Sequence, residues 1–403
     1  MTAPKSLSDR TLLVIGLWHR EFAMATLLRS GYRLIVVDEP GSFALPMADK
    51  AMTVDLYDLE HVAWAVAGVI EQRHVSGVLT FWDALVPTTH RIARDAGLPA
   101  LSARAAEAGL DKRVMRRRLA AAGVPQPQYR LCSTAQGALA AGEVLGYPLV
   151  VKPANLSGSE GVTKVDDAAA ISQAFHRARL SSPRIAEVLV EEWIDGTEVD
   201  VDAIVRGGTV AVISAMSTNS IVHQARPLWS EMTAPYPVTP SLEDIVTRAL
   251  AALEMDDCLV MVQVYVSADG VHLAEVNARV AGGPGPEMTA LACGVNVYEL
   301  AASLAVGERP TYLVQDRQFV SAANILSPPG RPASVQDLRA AQSHPEVRQV
   351  IFHPDSSWQE TAFGERQVIE RGYAIGVGDT ASGSLEAAVA ARNSLTVLVD
   401  PTR

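Results

Sequence analysis

Cysteine is scarce in this chain: Cys132, Cys258 and Cys293 are widely spaced and never form a CxxC pair. Such an odd, scattered set argues against a disulfide framework or a thiolate zinc site and reads as reduced core thiols of a cytoplasmic protein. Aromatics are few, at 5%, and 45 acidic residues outnumber 34 basic ones, for a formal charge of -11. There is no basic footprint for nucleic acid, so a bound anion has to be met by local cations. No apolar run approaches the roughly 20 residues of a membrane span, and the polar start MTAPKSLSDR leads into no signal-peptide core, so neither membrane insertion nor export is expected. Two nucleotide signatures are missing as well. GLWHRE follows the first strand where a dinucleotide fold would have GxGxxG, and no GK[ST] follows the glycines of a later loop.

What the chain does have is length and order. With 403 residues and 48% hydrophobic content it can build roughly two to four domains. TLLVIG, EFAMATLLRSG and YRLIVVD read as strand, helix and strand of a parallel sheet, with VSGVLTFWD as a further strand. GLDKRVMRRRLAAAGVPQPQY and ALAAGEVLG read as helices, the arginines 113, 116, 117 and 118 forming a solvated side. PLVVKPANLSGSEGVTKV is strand, glycine loop and strand, and AEVLVEEWIDGTEVDVDAIVRGGTVAVI gives three more strands. After about residue 310, FVSAANIL, VRQVIFH, RGYAIGVGD and SLTVLVD are strands, with the helix GSLEAAVAARN before the last and a surface turn at SPPGRP.

One stretch carries chemistry on its face. In HLAEVNARVAGG, residues 272–283, an acid, an amide and a guanidinium alternate as Glu275, Asn277 and Arg279. Strand side chains alternate between faces, so these three share one face and the small apolar residues the other. Running straight into Gly282 and Gly283, the loaded face calls for a cation and an anion as partners.

Lys112, then VVKP with a glycine loop, then VEEWIDGTE, then a hairpin ending in EVNAR: this order resembles the ATP-grasp superfamily. The resemblance runs over nearly the whole chain, and ARDAGLPALSARAAEAGLDKRVMRRRLAAAGVPQP is similar to the carboxylate-amine ligase branch, with L-amino acid ligases that make dipeptides as the nearest likeness. It implies an α/β and α+β architecture: a Rossmann-like domain over 1–105, an ATP-grasp domain over 106–308 with the ATP lid in 148–198, and a small α+β domain over 309–403. It also implies a cytoplasmic enzyme, a possible homodimer, that takes ATP with Mg2+ or Mn2+ and small carboxylate and amine substrates, amino acids foremost.

The residues carry over by position. Lys112 and Lys152 match the lysines on the α- and β-phosphates, beneath a loop, Ser157, Gly158, Ser159 and Gly161, whose backbone N–H groups close over them. In Glu191, Glu192, Trp193 and Ile194 the Glu192 carbonyl and Ile194 amide match the pair that reads adenine, and Glu198 matches the ribose carboxylate. Glu275 and Asn277 match metal ligands. A three-residue loop at Ala268, Asp269 and Gly270 would set Gln263 opposite Glu275, where the family has an acid; the amide oxygen brings less charge to a cation. Arg279 matches the residue that stabilises an acyl phosphate and the tetrahedral intermediate, so Arg279, Lys152 and Glu275 are the catalytic set. Its alternative is a structural ion pair with Glu275. NSIVHQARPLWSEMTAPYP, residues 219–237, should cover the substrates, which makes His223, Arg226, Trp229, Glu231, Gly282 and Gly283 the candidates. Two other readings stay open: an ATP-grasp carboxylase of the biotin or purine-precursor type, and a nucleotide-binding protein without turnover, which Gln263 suggests.

Overall fold

The computed structural model describes residues 10–17, 20–182, 185–354 and 368–400. Its first layer is a parallel sheet built from β1 (Thr11–Ile15), β2 (Arg33–Asp38), β3 (Lys50–Thr53) and β4 (Val75–Thr80), in the order β3-β2-β1-β4. β1 has no exposed residue, as expected of a strand covered on both faces. The helices α1 (Glu21–Arg29), α2 (Leu59–Arg73) and α3 (Val86–Asp95) alternate with these strands; β3 and α2 were not recognised in the sequence.

Two helices follow, α4 (Ala103–Ala108) and α5 (Lys112–Ala121). The Asp111 side chain accepts from the Arg113 N–H and caps α5, which fixes Lys112 at its first turn. A four-stranded antiparallel sheet then forms from β5 (Tyr129–Cys132), β6 (Leu149–Pro153), β7 (Thr163–Val165) and β8 (Val188–Glu192), ordered β5-β8-β6-β7. The helices α6 (Ala135–Leu145) and α7 (Ala168–Ser181) share its apolar cluster. The turn between β6 and β7 needs glycine at 161: φ is +69°, and a Cβ there would meet Pro153 Cγ at 2.7 Å.

The largest layer has eight strands. It contains β9 (Thr197–Arg206), β10 (Thr209–His223), β11 (Arg226–Ala234), β12 (Cys258–Ser267) and β13 (Gly270–Asn277), with α8 (Pro240–Ala252), α9 (Gly285–Cys293) and α10 (Val297–Ala305) packed around them. The sheet continues into β14 (Phe319–Ser327), while β15 (Arg331–Gln336) and α11 (Leu338–Gln342) lead to β16 (Val347–Phe352) and β17 (Ile369–Gly378). Its order is β13-β12-β9-β10-β11-β14-β17-β16. Finally α12 (Ala381–Ser394) packs on β14 and β17, where Ser384 Oγ lies 2.8 Å from Ser321 Oγ, and β18 (Thr396–Asp400) pairs with β15.

The register decides the site. Gln263 does face Glu275, but by a different route from the expected loop: the turn has two residues, with Ser267 paired to Gly270, and a bulge between Gln263 and Val264 restores the alignment. Across four strands this gives the row Met216, Asp200, Gln263 and Glu275, next to the row Ser214, Asp202, Met261 and Asn277.

Candidate active site

The two lysines expected on phosphates each reach a carboxylate. Lys112 Nζ lies 2.9 Å from Glu275 Oε1 and donates to the Leu156 carbonyl at 2.7 Å, at the head of the glycine loop. Lys152 Nζ stands 2.6 Å from Glu191 Oε2. Glu191, one of the adenine-segment residues, is only 2% exposed, and its other oxygen takes Arg116 Nε at 2.5 Å. Burial alone would raise this carboxyl, but Arg116 and Lys152 outweigh it and hold it at about 2. Burial likewise pushes the Lys152 ammonium down, against the pull of Glu191.

The arginine stripe of α5 therefore needs correction. Arg116 has no exposed surface: besides Glu191 it donates to the carbonyls of Leu273 and Ala274 on β13, at 3.2 and 2.8 Å. Arg113 pairs with Asp111 and with Glu187. Arg117 is exposed as expected, but the side of α5 that carries Arg116 faces β8 and β13, which the local sequence could not show.

Around Gln263 the chain gathers acids. Its Nε2 donates to Glu198 Oε1 at 2.7 Å and to Asp200 Oδ1 at 3.1 Å. Burial and then the repulsion of Asp200 and Glu275 raise the Glu198 carboxyl, and burial raises Asp200. Asp202, one row along, is raised to about 6 by burial; Thr289 donates to its Oδ2 at 2.7 Å, and its Oδ1 has no partner among the described residues. Glu198, Asp200 and Asp202 alternate in TEVDVDA as Glu275, Asn277 and Arg279 do in EVNAR. The same face rule would have found Asp200 and Asp202.

Arg279 does not pair with Glu275. NH2 lies 2.5 Å from Asp83 Oδ2, NH1 donates to the Val280 carbonyl at 2.7 Å, and Nε has no partner among the described residues. The structural alternative to catalysis was an ion pair with Glu275; the observed pair is with Asp83, in the loop after β4. With its amide oriented to suit its surroundings, Asn277 donates to Asp83 Oδ1 at 3.0 Å and to Glu275 Oε1 at 3.1 Å. Burial would push the Asp83 carboxyl up, yet Arg279, the Ser157 hydroxyl and Lys112 keep it below the ordinary range. Behind Arg279 a cavity of about 60 Å³ borders Thr89, whose Oγ1 is also unpartnered among the described residues, and has room for water.

The loop and the covering hairpin meet directly. Arg226, expected on substrate, donates to the carbonyls of Ser159 (3.2 Å) and Gly158 (3.1 Å), and Lys164 N–H donates to the Ala225 carbonyl at 2.6 Å. Glu231, also a substrate candidate, is held by Arg392 of α12 at 2.7 Å, and Trp229 Nε1 donates to Glu370 at 3.0 Å. His223 is exposed at the hairpin tip. Gly282 and Gly283 open onto space, with only Trp229 at 4.0 Å from a Cβ built on Gly283. In the segment expected to read adenine, Lys164 Nζ lies over the Trp193 ring at 4.9 Å, Gln128 N–H donates to Glu192 Oε1 at 2.9 Å, and Ile194 is half-buried. Arg20 ties three segments together through Ala281, Tyr298 and Phe81, close to buried Glu287, which burial raises to about 7.

A divalent cation is tested by the donors. Among the described residues no three Asp, Glu, His or Cys side chains converge as a self-sufficient metal site. Glu275 with the amides of Gln263 and Asn277 is an all-oxygen set that fits Mg2+ or Mn2+ held jointly with phosphates, and the mutual repulsion at Glu198 marks where positive charge is wanted.

A sheet bearing a glycine loop over a second, acid-lined sheet defines a nucleotide-clasping fold. A family model described as an ATP-grasp domain matches residues 145–287, and one described as an ATP-grasp N-terminal domain matches 26–100. The chain belongs to the ATP-grasp superfamily. Among solved structures it is similar to an L-amino acid ligase from Bacillus licheniformis (TM-score 0.82, 20% identity, 97% of this chain and 99% of that one). It is also similar to a phosphoribosylglycinamide synthetase from Anaerococcus prevotii (TM-score 0.71, 18% identity, 97% and 100%) and a biotin carboxylase from Campylobacter jejuni (TM-score 0.73, 14% identity, 96% and 92%). At these identities the likeness is one of fold. An uncharacterized protein of Sinorhizobium fredii is 27% identical over 307 residues, 73% of this chain; the match spans 62% of that relative's length.

Proposed function

We propose that the chain is an ATP-dependent carboxylate-amine ligase that joins two amino acids, or close analogues, through an acyl phosphate, with release of ADP and phosphate. The observation that carries this reading is the placement of Arg279: two residues past the end of β13, its guanidinium is held by Asp83, the carboxylate that Asn277 also bonds, beside an open glycine turn. The similarity to an L-amino acid ligase over 97% of the chain supports it at the level of fold.

In this reading Lys112 and Lys152 neutralise phosphate oxygens while the glycine loop closes over them. The substrate carboxylate attacks the γ-phosphorus and ADP leaves. Arg279 then stabilises the charge on the tetrahedral centre formed when the amine attacks the acyl carbon, and phosphate departs. Mg2+ or Mn2+, when bound at Glu275, Asn277 and Gln263, would offset phosphate charge. Glu231 is occupied by Arg392, so it is not a free base in this conformation; the departing phosphate can itself take the amine proton.

The test is ADP and phosphate release across a grid of single amino acids and pairs, with mass spectrometry of active wells. Release that requires a pair and yields a dipeptide mass supports the reading. Release dependent on bicarbonate favours a carboxylase. Gln263 in place of an acid keeps a second reading in play, nucleotide binding without turnover, and binding with no release in any well would favour it.

A further inference from the structure

We propose that Asp83 is a positioning residue through which the N-terminal domain aims Arg279 and keeps it off the metal ligands; this rests on the ligase reading above. Asp83 lies in the loop after β4, at the carboxyl end of a parallel sheet, the edge where such sheets place ligands. It is 6% exposed. Its two oxygens are divided: Oδ2 takes Arg279 NH2 at 2.5 Å and Oδ1 takes the Asn277 amide at 3.0 Å. The Ser157 hydroxyl of the glycine loop is near enough to help hold the same carboxyl below its ordinary range. One side chain thus bonds the acyl-phosphate residue and a metal-ligand candidate, beside the phosphate loop.

Arg279 has little else to hold it. Among the described residues its remaining side-chain bond is to the adjacent Val280 carbonyl, and Nε is unpartnered. The carboxylate at the end of the adjoining strand β13 is Glu275, already bonded to Lys112 and Asn277. Without Asp83 the guanidinium would swing toward Glu275, compete with a cation there and lose its aim at the reacting carbon. A purely structural tie between domains would have neither effect.

The test uses the full chain with Asp83→Asn, Asp83→Ala and Asp83→Glu. Two measurements are made: steady-state ADP release, and Mn2+ titration by electron paramagnetic resonance with a non-hydrolysable ATP analogue. For the Asn and Ala variants kcat is expected to fall about 100-fold, the scale of a misplaced reacting group, with KM for ATP changed by less than about threefold. The Ala variant should bind Mn2+ about tenfold more weakly, as for loss of a residue behind a metal ligand. Asp83→Glu, which restores the charge one methylene longer, should recover about tenfold in kcat over Ala. The proposal is overturned if Glu is no better than Ala and Mn2+ binds all variants as it binds wild type. A wild-type protein that binds Mn2+ and nucleotide but releases no ADP with any substrate pair rejects the ligase reading instead. In that case the Mn2+ titration of the Ala variant alone decides the role of Asp83: weaker binding upholds it and unchanged binding ends it.

Discussion

Gln263 and Asp200 face each other across the β9–β12 ladder, with the amide nitrogen 3.1 Å from Oδ1, and the same nitrogen reaches Glu198 at 2.7 Å. The amide therefore supplies hydrogen-bond donors to two half-buried acids that repel each other. Gln263→Glu removes both donors and adds a third negative charge. The ligand-free variant should lose about 1–3 kcal/mol, the cost of stranding buried polar groups. Magnesium with nucleotide should restore more of its melting temperature than it adds to wild type. Equal gains in the two proteins, measured by thermal melts with and without Mg-ATP analogue, would show that no cation shares this site.

Arg116→Met tests the buried trio of Arg116, Glu191 and Lys152. Taking away the guanidinium leaves Glu191 with Lys152 alone in a dry interior, and breaking such a pair typically costs about 3–5 kcal/mol. Urea unfolding should show this as a lower midpoint. A loss below about 1 kcal/mol would mean that the cluster is open to water.

Acid should expose the same trio. Glu191 is held at about 2 against an ordinary 4.5, so its contribution to stability is in place above pH 4.5 and is lost as pH falls from there toward 2. Glu287 and Asp202 have the opposite sign. Their folded values, about 7 and about 6, lie above the ordinary 4.5 and 3.8, so the folded chain holds more protons and stability declines as pH rises from about 4 until it has passed 6 to 7. Thermal melts should peak near the start of that decline, at about pH 4, and Glu287→Gln should flatten it.

Arg226→Ala releases the glycine loop from the covering hairpin. Loss of its two bonds to Gly158 and Ser159 should raise KM for ATP by about tenfold, the worth of one charged hydrogen bond, and speed proteolytic cleavage near residue 158. An unchanged KM with unchanged cleavage would show that the hairpin and loop move independently.

How much of this was legible follows from range. Period-two alternation exposed the shared face of Glu275 and Asn277, and glycines flanked by apolar strands exposed the turn between β6 and β7, because both signals are written within ten or so residues. The partner of Arg279 was not: Asp83 precedes it by 196 positions, in a strand-end loop with no pattern of its own. Arg116 was misread for the same reason, since only the sheet packed against α5 makes its polar face an interior one. Asp200 and Asp202 are a different case. Their alternation was as plain as that of Glu275 and Asn277, and one face rule applied to both strands would have assembled the acidic row. The bulge at Gln263 hid behind a compensating turn, so the expected register came out right with the wrong loop length.

β11 and β14 are joined by backbone pairing, from Glu231 with Ala323 to Ala234 with Val320. A gene fragment ending near residue 308 would therefore produce a chain whose sheet stops at a raw edge, with the hydrogen-bonding groups of Glu231 to Ala234 open to any strand of another molecule. Expressed alone, that piece should come out as aggregate, and adding the missing segment in trans should rescue its solubility by supplying the absent strand.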